Sequence, residues 1–411
     1  MRSTNIFFIL ISLFINQAVD AQTGCTDPAA TNYNATATIN DGSCIYSSLT
    51  INPLLVGKLN SAISSSSGLV WTDGNLWTHN DSGNPADIYR IDTTNGKTLQ
   101  TVVIDNYPNT DWEDITADSL YIYVSDCGNN NGDRRDLKIL KIAKADITIG
   151  TATVHVNAEA ISLSYTDQTS YTASSTNNFD CESIVSIKDS LYLFSKDRGD
   201  LSTRVYKLPK IPGTYAVSPI TSYHVDGLIT GADYNAATQE IMLIGYMSGH
   251  VNSFMWFLDD FKGDQFFSGD KRRVEIGNGQ EWQTEGVTYI TPNRFFISNE
   301  TAGNIDASLF TSAKTWPTPP KDTTVANTGM GSIHEVGVTY YPNPCTGVLH
   351  IKGVNTRGAY TIIDQKGYSV QTGIMSTGNN NINIGPLPIA TYFMELKGED
   401  GSKSIVKVVK E

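Results

Sequence analysis

An all-β chain, a five- or six-bladed β-propeller followed by a small immunoglobulin-like β-sandwich, is what the sequence predicts, and three observations predict it. Short apolar runs alternate with turns rich in Gly, Asn and Asp along the whole length, and helical heptads are nowhere evident. One hairpin pattern recurs five times in the central region, which is the signature of a radially repeated fold. Behind a Pro/Thr/Gly stretch, "TWPTPPKDTTVANTGMGS", a separate module of alternating strands begins.

The five hairpins are "SGLVWTDGNLWTHNDSG" from Ser67, "EDITADSLYIYVSDCGN" from Glu113, "ESIVSIKDSLYLFSKDRG" from Glu182, "ADYNAATQEIMLIGYMSG" from Ala232 and "EGVTYITPNRFFISNETAG" from Glu285. Each is an apolar strand, a polar turn, a second apolar strand and a loop of Asp, Asn, Ser and Gly. They recur at roughly 50 residues, the spacing of propeller blades, with one longer interval that holds an insert between Thr148 and Asn178. Segments such as "DIYRIDTT" with "TLQTVVI", "LKILKIA" with "EAISLSYTD", and "TRVYKLP" with "ITSYHV" supply the further strands of a four-stranded blade. A sandwich offers no reason to repeat one hairpin with one loop chemistry. The run "LTINPLLVGKL" ahead of the first repeat is expected to return as the outer strand of the last blade and close the ring. The propeller is therefore placed at residues 49–313, a linker at 314–334 and the C-terminal module at 335–411.

The N-terminus, "MRSTNIFFILISLFINQAVDAQTG", has one Arg, an apolar run from Ile6 to Ile15 and small residues near Ala21, so residues 1–21 read as a secretory signal peptide cleaved after Ala21. That run is too short to span a bilayer, and no transmembrane segment is expected elsewhere. Lys and Arg number 29 against 42 Asp and Glu, a net charge of −13 that phosphate backbones would repel, so no nucleic acid partner is expected.

Export permits disulfides among the 5 cysteines. Cys25 and Cys44 bracket a small polar loop, residues 22–46, with little to bury, and a Cys25–Cys44 clasp would hold it. Cys127 and Cys181 both sit where predicted strands meet loops; a Cys127–Cys181 bridge and two buried thiols are both open readings. Cys345 is then left over. In the clasped loop, Asp27, Asn32, Asn34, Asn40 and Asp41 are either turn formers or oxygen ligands for calcium, with turns favoured.

Three glutamates, Glu113, Glu182 and Glu285, occupy matching repeat positions, and Asp233 stands one step off register. Carboxylates converging on one axis repel unless a cation neutralises them or their pKa values rise, and calcium, a hard cation that takes oxygen ligands, is the expected cofactor. Asp126, Asp197 and Asn299 at the far ends of the hairpins, with Asn80, Asp81 and Glu300, would add oxygens. Asn80, Asn129, Arg134, Lys196 and Arg198 are candidates for holding a ligand, with Arg135 beside them, and His79 and His250 at loop ends are candidate bases. The competing reading is that a repeat protein repeats its turn chemistry for folding alone. Trp71, Trp77, Trp112, Trp256 and Trp282 could stack on a glycan, although strand-like surroundings favour the core. No G-x-S-x-G elbow, H-E-x-x-H pair or phosphate loop is present.

Two resemblances extend this reading. "VTYYPNPCTGVLHIKG", "AYTIIDQKGYSVQTG" and "NNINIGPLPIATYFMELKGEDGSKSIVKVVKE" resemble the type A C-terminal sorting domain of the type IX (Por) secretion system. The match runs through Tyr341-Pro342-Asn343-Pro344, Gly347, Asp364, Gly367, Leu387 to Tyr392 and the basic terminal strand; Cys345 and Ala390 depart from it. The resemblance implies recognition by the type IX machinery, passage over the outer membrane, and release or attachment to surface polysaccharide. The propeller is similar to esterase-like or phytase-like propellers at Glu113-Asp114-Ile115, Glu182-Ser183-Ile184 and Glu285-Gly286-Val287. These expectations add up to a secreted or surface-attached propeller that binds a glycan, a small molecule or a surface protein, or alternatively a calcium-dependent hydrolase of phosphoesters or lactones.

Overall fold

The computed structural model describes residues 22–279, 281–316, 339–354, 356–364, 369–398 and 403–411. The expected signal peptide and most of the expected linker lie outside the described residues. The described chain forms two compact units that divide at Lys321.

Five sheets of the first unit are the blades of a propeller, which resolves the choice between five and six. Their inner strands are Ser66–Thr72, Asp114–Ala117, Cys181–Ile187, Leu228–Asn235 and Thr284–Thr291, in blades 1 to 5, and each packs against the next until the fifth meets the first. All five expected hairpins form the two innermost strands of a blade. The predicted ring closure is present: Leu54–Lys58 pairs antiparallel with Ser308–Ala313 and completes blade 5. Three blades also borrow a parallel edge strand from another part of the chain. Thr153–Val156, from the long insert, joins blade 1, Gly213–Val217 joins blade 2 and Thr50–Ile51 joins blade 4.

The apolar runs have two faces to cover because every blade is packed on both sides. In the second strand of blade 4, Ile241 and Leu243 enter the core shared with blade 3, while Met242 and Ile244 enter the core shared with blade 5. A period of two thus divides one run between two cores. Trp77 and Trp112 fill the interface of blades 1 and 2, Trp256 that of blades 3 and 4, and Trp282 that of blades 4 and 5. Of the five tryptophans weighed for sugar stacking, these four are core residues, and only Trp71 is half-exposed.

On the axis, four of the inner strands carry a register shift at their N-terminal end, at Ser67, Glu182, Thr230 and Glu285-Gly286. Such a bulge re-aims the side chain it carries. Structurally equivalent positions are therefore Ser67, Glu113, Glu182, Thr230 and Glu285, so Thr230, and not Asp233, stands in blade 4 where the glutamates stand elsewhere. The next position is Gly68, Asp114, Ser183, Gly231 and Gly286. It is small because neighbouring backbones touch there: a Cβ on Gly231 would lie 2.0 Å from the Glu285 carbonyl oxygen, and one on Gly68 would lie 2.8 Å from the Ile115 amide nitrogen. Asp114 is the exception, and its carboxylate occupies the axis itself. It accepts hydrogen bonds from the amides of Ile115 (2.8 Å), Ile184 (2.9 Å) and Ala232 (3.2 Å), joining blades 2, 3 and 4. The Asp233 carboxylate accepts from the Tyr289 amide (2.7 Å) and joins blade 4 to 5, the Trp71 amide donates to Thr288 Oγ1 (2.9 Å) and joins 1 to 5, and Ser67 Oγ donates to the Glu113 carbonyl (2.8 Å) and joins 1 to 2.

The clasped loop holds the predicted Cys25–Cys44 disulfide and docks on blade 4, where Asn40 Nδ2 donates to Asp260 and Asp270, each at 2.8 Å. Its polar residues are turn formers, as favoured: Asp27, Asn34, Asn40 and Asp41 each accept from the amide two residues on. The Cys127–Cys181 bridge is not formed. Both are free thiols in the dry core between blades 2 and 3, Cys127 donating to the Lys138 carbonyl and Cys181 to the Phe194 carbonyl of their own blades.

The second unit is a sandwich of a three-stranded and a four-stranded sheet, with Leu349, Ile351, Ile362, Tyr392, Met394 and Val408 in its core. Cys345, the odd cysteine, is buried there.

Asp114→Ala would leave three buried amides without acceptors, and at roughly 1–3 kcal/mol for each unsatisfied buried group the propeller should lose about 3 kcal/mol or more. Denaturant unfolding of the purified protein checks this, and Asp114→Asn, which keeps one acceptor oxygen, should lose less.

Candidate functional site

At the mouth where the inner strands begin, Glu113 and Glu182 of the three repeated glutamates come together, Glu285 is joined to them through Tyr246 and Lys196, and the structure adds carboxylates outside the repeat positions. One ligand oxygen from each of Asp81, Asp111 and Glu113 lies within 4.8 Å of the others, and the same holds for Glu113, Asp180 and Glu182. Glu113 belongs to both groups. Asp111 and Asp180 precede Glu113 and Glu182 by two residues, and Gln283 precedes Glu285 by the same spacing. That Asp/Gln-x-Glu pattern is visible in "DWED", "DCES" and "QTEG" and was the available signal.

Cations lie close on one side of the cluster and at longer range on the other. Lys196 donates to Glu182 and to Tyr246 Oη (2.8 Å), and Tyr246 Oη donates to Glu285 Oε1 (3.2 Å). Arg198 pairs with Asp180 and donates to Asn130 Oδ1. On the other side no described residue donates a hydrogen bond to the Glu113 carboxylate, and the nearest cation to Asp111 is Arg134, at 4.0 Å. Gly128 passes so close that a Cβ there would lie 2.1 Å from Glu113 Oε1. Glu285 Oε2 is likewise buried with no partner.

The acidity of the cluster follows. Burial, and then Glu182, Asp81, Asp180 and Asp111, push the Glu113 carboxyl well above the usual range. Burial also raises Glu182. Asp111 is raised to about 6 by burial and by Asp81 and Asp180, Glu285 to about 7 chiefly by burial, and Glu300 to about 9 by burial and then by Glu285 and Asp81. Seven carboxyl groups thus share the mouth with Lys196 and Arg198 beside them, an excess of negative charge that protons or a cation must relieve.

Several candidates stand outside this cluster. Asp126 is bound by Arg134 (2.9 Å) and Lys138 (3.1 Å), Asp197 is paired with Arg204, and Asn299 Oδ1 accepts from the Ser308 amide (3.1 Å). Asp197 and Asn299 are thus held by the third strand of their own blade, and Asp126 is held by Arg134 from the following loop, by Lys138 of the third strand and by the Asp111 amide (3.0 Å), which it supports from behind the cluster. Asn80 is spent on the Ser65 amide and the Ala62 carbonyl, and Asn129 on the Phe179 carbonyl and the Arg134 amide, its own amide donating to Asp180. Arg135 stacks on Tyr171, 3.6 Å from the ring centroid. Of the candidate bases, His79 is fully buried against Trp112 and burial lowers its pKa to about 4, which removes it from the mouth. His250 is exposed and lies against Tyr246, with ring centroids 4.9 Å apart.

Residues 339–411 match the family of secretion system C-terminal sorting domains. No curated protein matches the chain. Among solved structures the chain is similar to the PQQ-bound aldose sugar dehydrogenase of Streptomyces coelicolor, at 12% identity over 63% of this chain and 97% of that one, with a TM-score of 0.39. It is similar to an exo-β-1,3-galactanase of Phanerochaete chrysosporium at 11% identity over 88% and 94%, with a TM-score of 0.40. PorZ, a surface component of the type IX secretion system of Porphyromonas gingivalis, is 12% identical over 92% of this chain and 48% of PorZ, with a TM-score of 0.32. Likenesses at these values assign no activity. The tail does identify the chain as one carrying a type IX sorting domain, and hence as a protein exported by that system. Among the described residues no helix is long and apolar enough to cross a membrane.

The raised carboxyls fix the sign of a pH effect. Their folded pKa values exceed the unfolded value near 4.5, so the folded state holds more protons between about pH 4.5 and 9 and loses stability as pH rises through that window. In chelator, the melting temperature should fall from pH 5 to pH 9, and Glu285→Gln should flatten the part of the slope around pH 7.

Proposed function

We propose that the propeller is an extracellular ligand-binding module whose acidic mouth holds a calcium ion. The observation that carries this reading is Glu113, a buried glutamate shared by two carboxylate groups and given no hydrogen bond by any described residue. An all-oxygen donor set fits a hard cation such as calcium and fits thiolate- or imidazole-seeking metals poorly. Asp81, Asp111 and Glu113 would be its ligands, since Asp180 and Glu182 already have Arg198 and Lys196 as partners. Ser67 and Thr230, in the equivalent positions of blades 1 and 4, bring hydroxyls instead of charge, and Lys196 and Arg198 compensate the carboxylates of blade 3, so the least compensated carboxylates are Asp111 and Glu113 of blade 2 with Asp81 from the blade-1 loop. A ligand arriving there would meet the ion on one side and Arg198 and His250 on the other.

A second reading, calcium-dependent hydrolysis of a phosphoester or lactone, is favoured by one feature. Glu285 has a buried, unpartnered oxygen and a pKa of about 7, which suits a carboxyl that takes a proton from water. The ion would polarise the electrophilic oxygen.

Calcium at about one hundred times its dissociation constant should stabilise the propeller by about 2.7 kcal/mol and raise its melting temperature by roughly 5 °C or more. Glu113→Gln should abolish that shift while leaving the calcium-free protein as stable as wild type or more so; an unchanged shift in the variant would remove Glu113 from the site. Deletion of residues 339–411 should leave the protein behind the outer membrane, as read by surface labelling of cells.

A further inference from the structure

The Asp114 carboxylate closes the axial channel, and directly beyond it, at the end opposite the acidic mouth, lies a cavity of about 330 Å³. Its floor follows from the bridge itself. Thr116 is two residues past Asp114, Ser186 two past Ile184, and Asp233 one past Ala232, so the same three strands that hold the carboxylate line the cavity next to it. Its walls are uneven because the inner strands are: that of blade 2 stops at Ala117, while those of blades 4 and 5 run on to Asn235 and Thr291. The extensions place Tyr234 and Asn235 on one side and Tyr289 and Pro292 on another, with Trp71 contributed by blade 1.

We propose that this cavity is a second binding site, independent of the cation site, for a small neutral polyhydroxylated ligand of about one sugar ring. Size sets the upper limit, since the volume is at the small end of ligand pockets. Charge sets the class. Asp233 is the one lining residue that carries a charge, and its oxygens are already taken by the amides of Tyr234 (2.8 Å) and Tyr289 (2.7 Å) and by Thr288 Oγ1 (3.0 Å). No Lys, Arg or His lines the cavity; Lys144, which donates to the lining Thr72, is paired with Asp73 (2.9 Å), so an anion would find no free cation and would face Asp233. Hydroxyls from Thr116, Ser186 and Tyr234 and the Nδ2 of Asn235, whose Oδ1 is taken by the amides of Ala237 (3.0 Å) and Thr238 (3.3 Å), match the donors and acceptors of a polyol, and Trp71 and the two tyrosines supply the amphipathic surface on which sugar rings pack. The two mouths thus differ in kind, one a charged oxygen cluster and the other a neutral hydroxyl and aromatic cup.

The test is saturation-transfer NMR and titration calorimetry of the full chain with D-glucose, D-galactose, D-mannose and L-fucose, using D-glucuronate as the anionic control, in EDTA and again in calcium. Ala236→Trp, at an exposed hairpin tip on the rim, occludes the cavity, and Ala117→Leu does so from the opposite wall; melting curves establish that each variant folds. The expected result is that at least one neutral sugar binds at about 10 mM or below, equally with and without calcium, that glucuronate does not bind, and that either variant weakens binding tenfold or more. The proposal is overturned if none of the neutral sugars binds, if both occluding variants bind as wild type does, if glucuronate binds as well as its neutral counterpart, or if binding requires calcium. Because the decisive arm is run in EDTA, its outcome is separate from that of the cation site.

Discussion

The carboxylate of Asp114 is the constraint on which the rest of the propeller depends. Five blades leave little room on the axis, so the second position of each inner strand is reduced to Gly or Ser wherever backbones must touch. In blade 2 that position instead carries an acid that reaches across the axis and collects amides from blades 3 and 4. Burial raises its pKa well above the usual carboxyl range, while the amide bonds oppose the rise, so its geometry is tied to the presence of all three donors. Blades held only by apolar interfaces could slide along one another. A directional bond at the centre fixes their relative height, and with it the height at which Glu113, Glu182 and Glu285 meet.

That height separates two chemistries. Above the bridge, bulges turn the glutamates of blades 3 and 5 toward the axis, and Asp111 and Asp180, two residues earlier, come in behind them. Below it, the strands carry Thr116, Ser186 and Asp233, the last with its oxygens taken by Tyr234, Tyr289 and Thr288, into a cup of hydroxyls and aromatic rings. The sorting domain accounts for the export of the propeller, and the two mouths are the features of the first unit for which folding alone gives no use.

Much of this was legible in the sequence, for reasons that can be stated. The five hairpins were readable because each inner pair of strands is buried on both faces and so appears as a continuous apolar run, and Leu54–Lys58 was readable as the closing strand because blade 5 otherwise had no fourth strand. The glutamate ring was readable because Glu113, Glu182 and Glu285 are aligned. Asp233 was misplaced by three residues because the blade-4 equivalent is Thr230, which breaks the charge pattern while keeping the bulge. Asp126, Asp197 and Asn299 have the right composition for ligands, but their carboxylate or amide oxygens are taken by Arg134 and the Asp111 amide, by Arg204 and by the Ser308 amide. Cys127 and Cys181 are close in the fold, with the Cys181 amide 3.4 Å from the Cys127 carbonyl, yet each thiol is directed to a carbonyl of its own blade. Composition locates polar residues at blade ends; side-chain direction, which depends on register and bulges, decides which of them share a site.

The acidic mouth is proposed to hold a cation beside Glu113. Anomalous scattering from crystals of the propeller grown with terbium in place of calcium tests it most directly. The account predicts an anomalous peak bounded by Asp81, Asp111 and Glu113. Well-ordered crystals with no peak there, and with the Glu113 carboxyl hydrogen-bonded as a neutral acid to its neighbours, would contradict it.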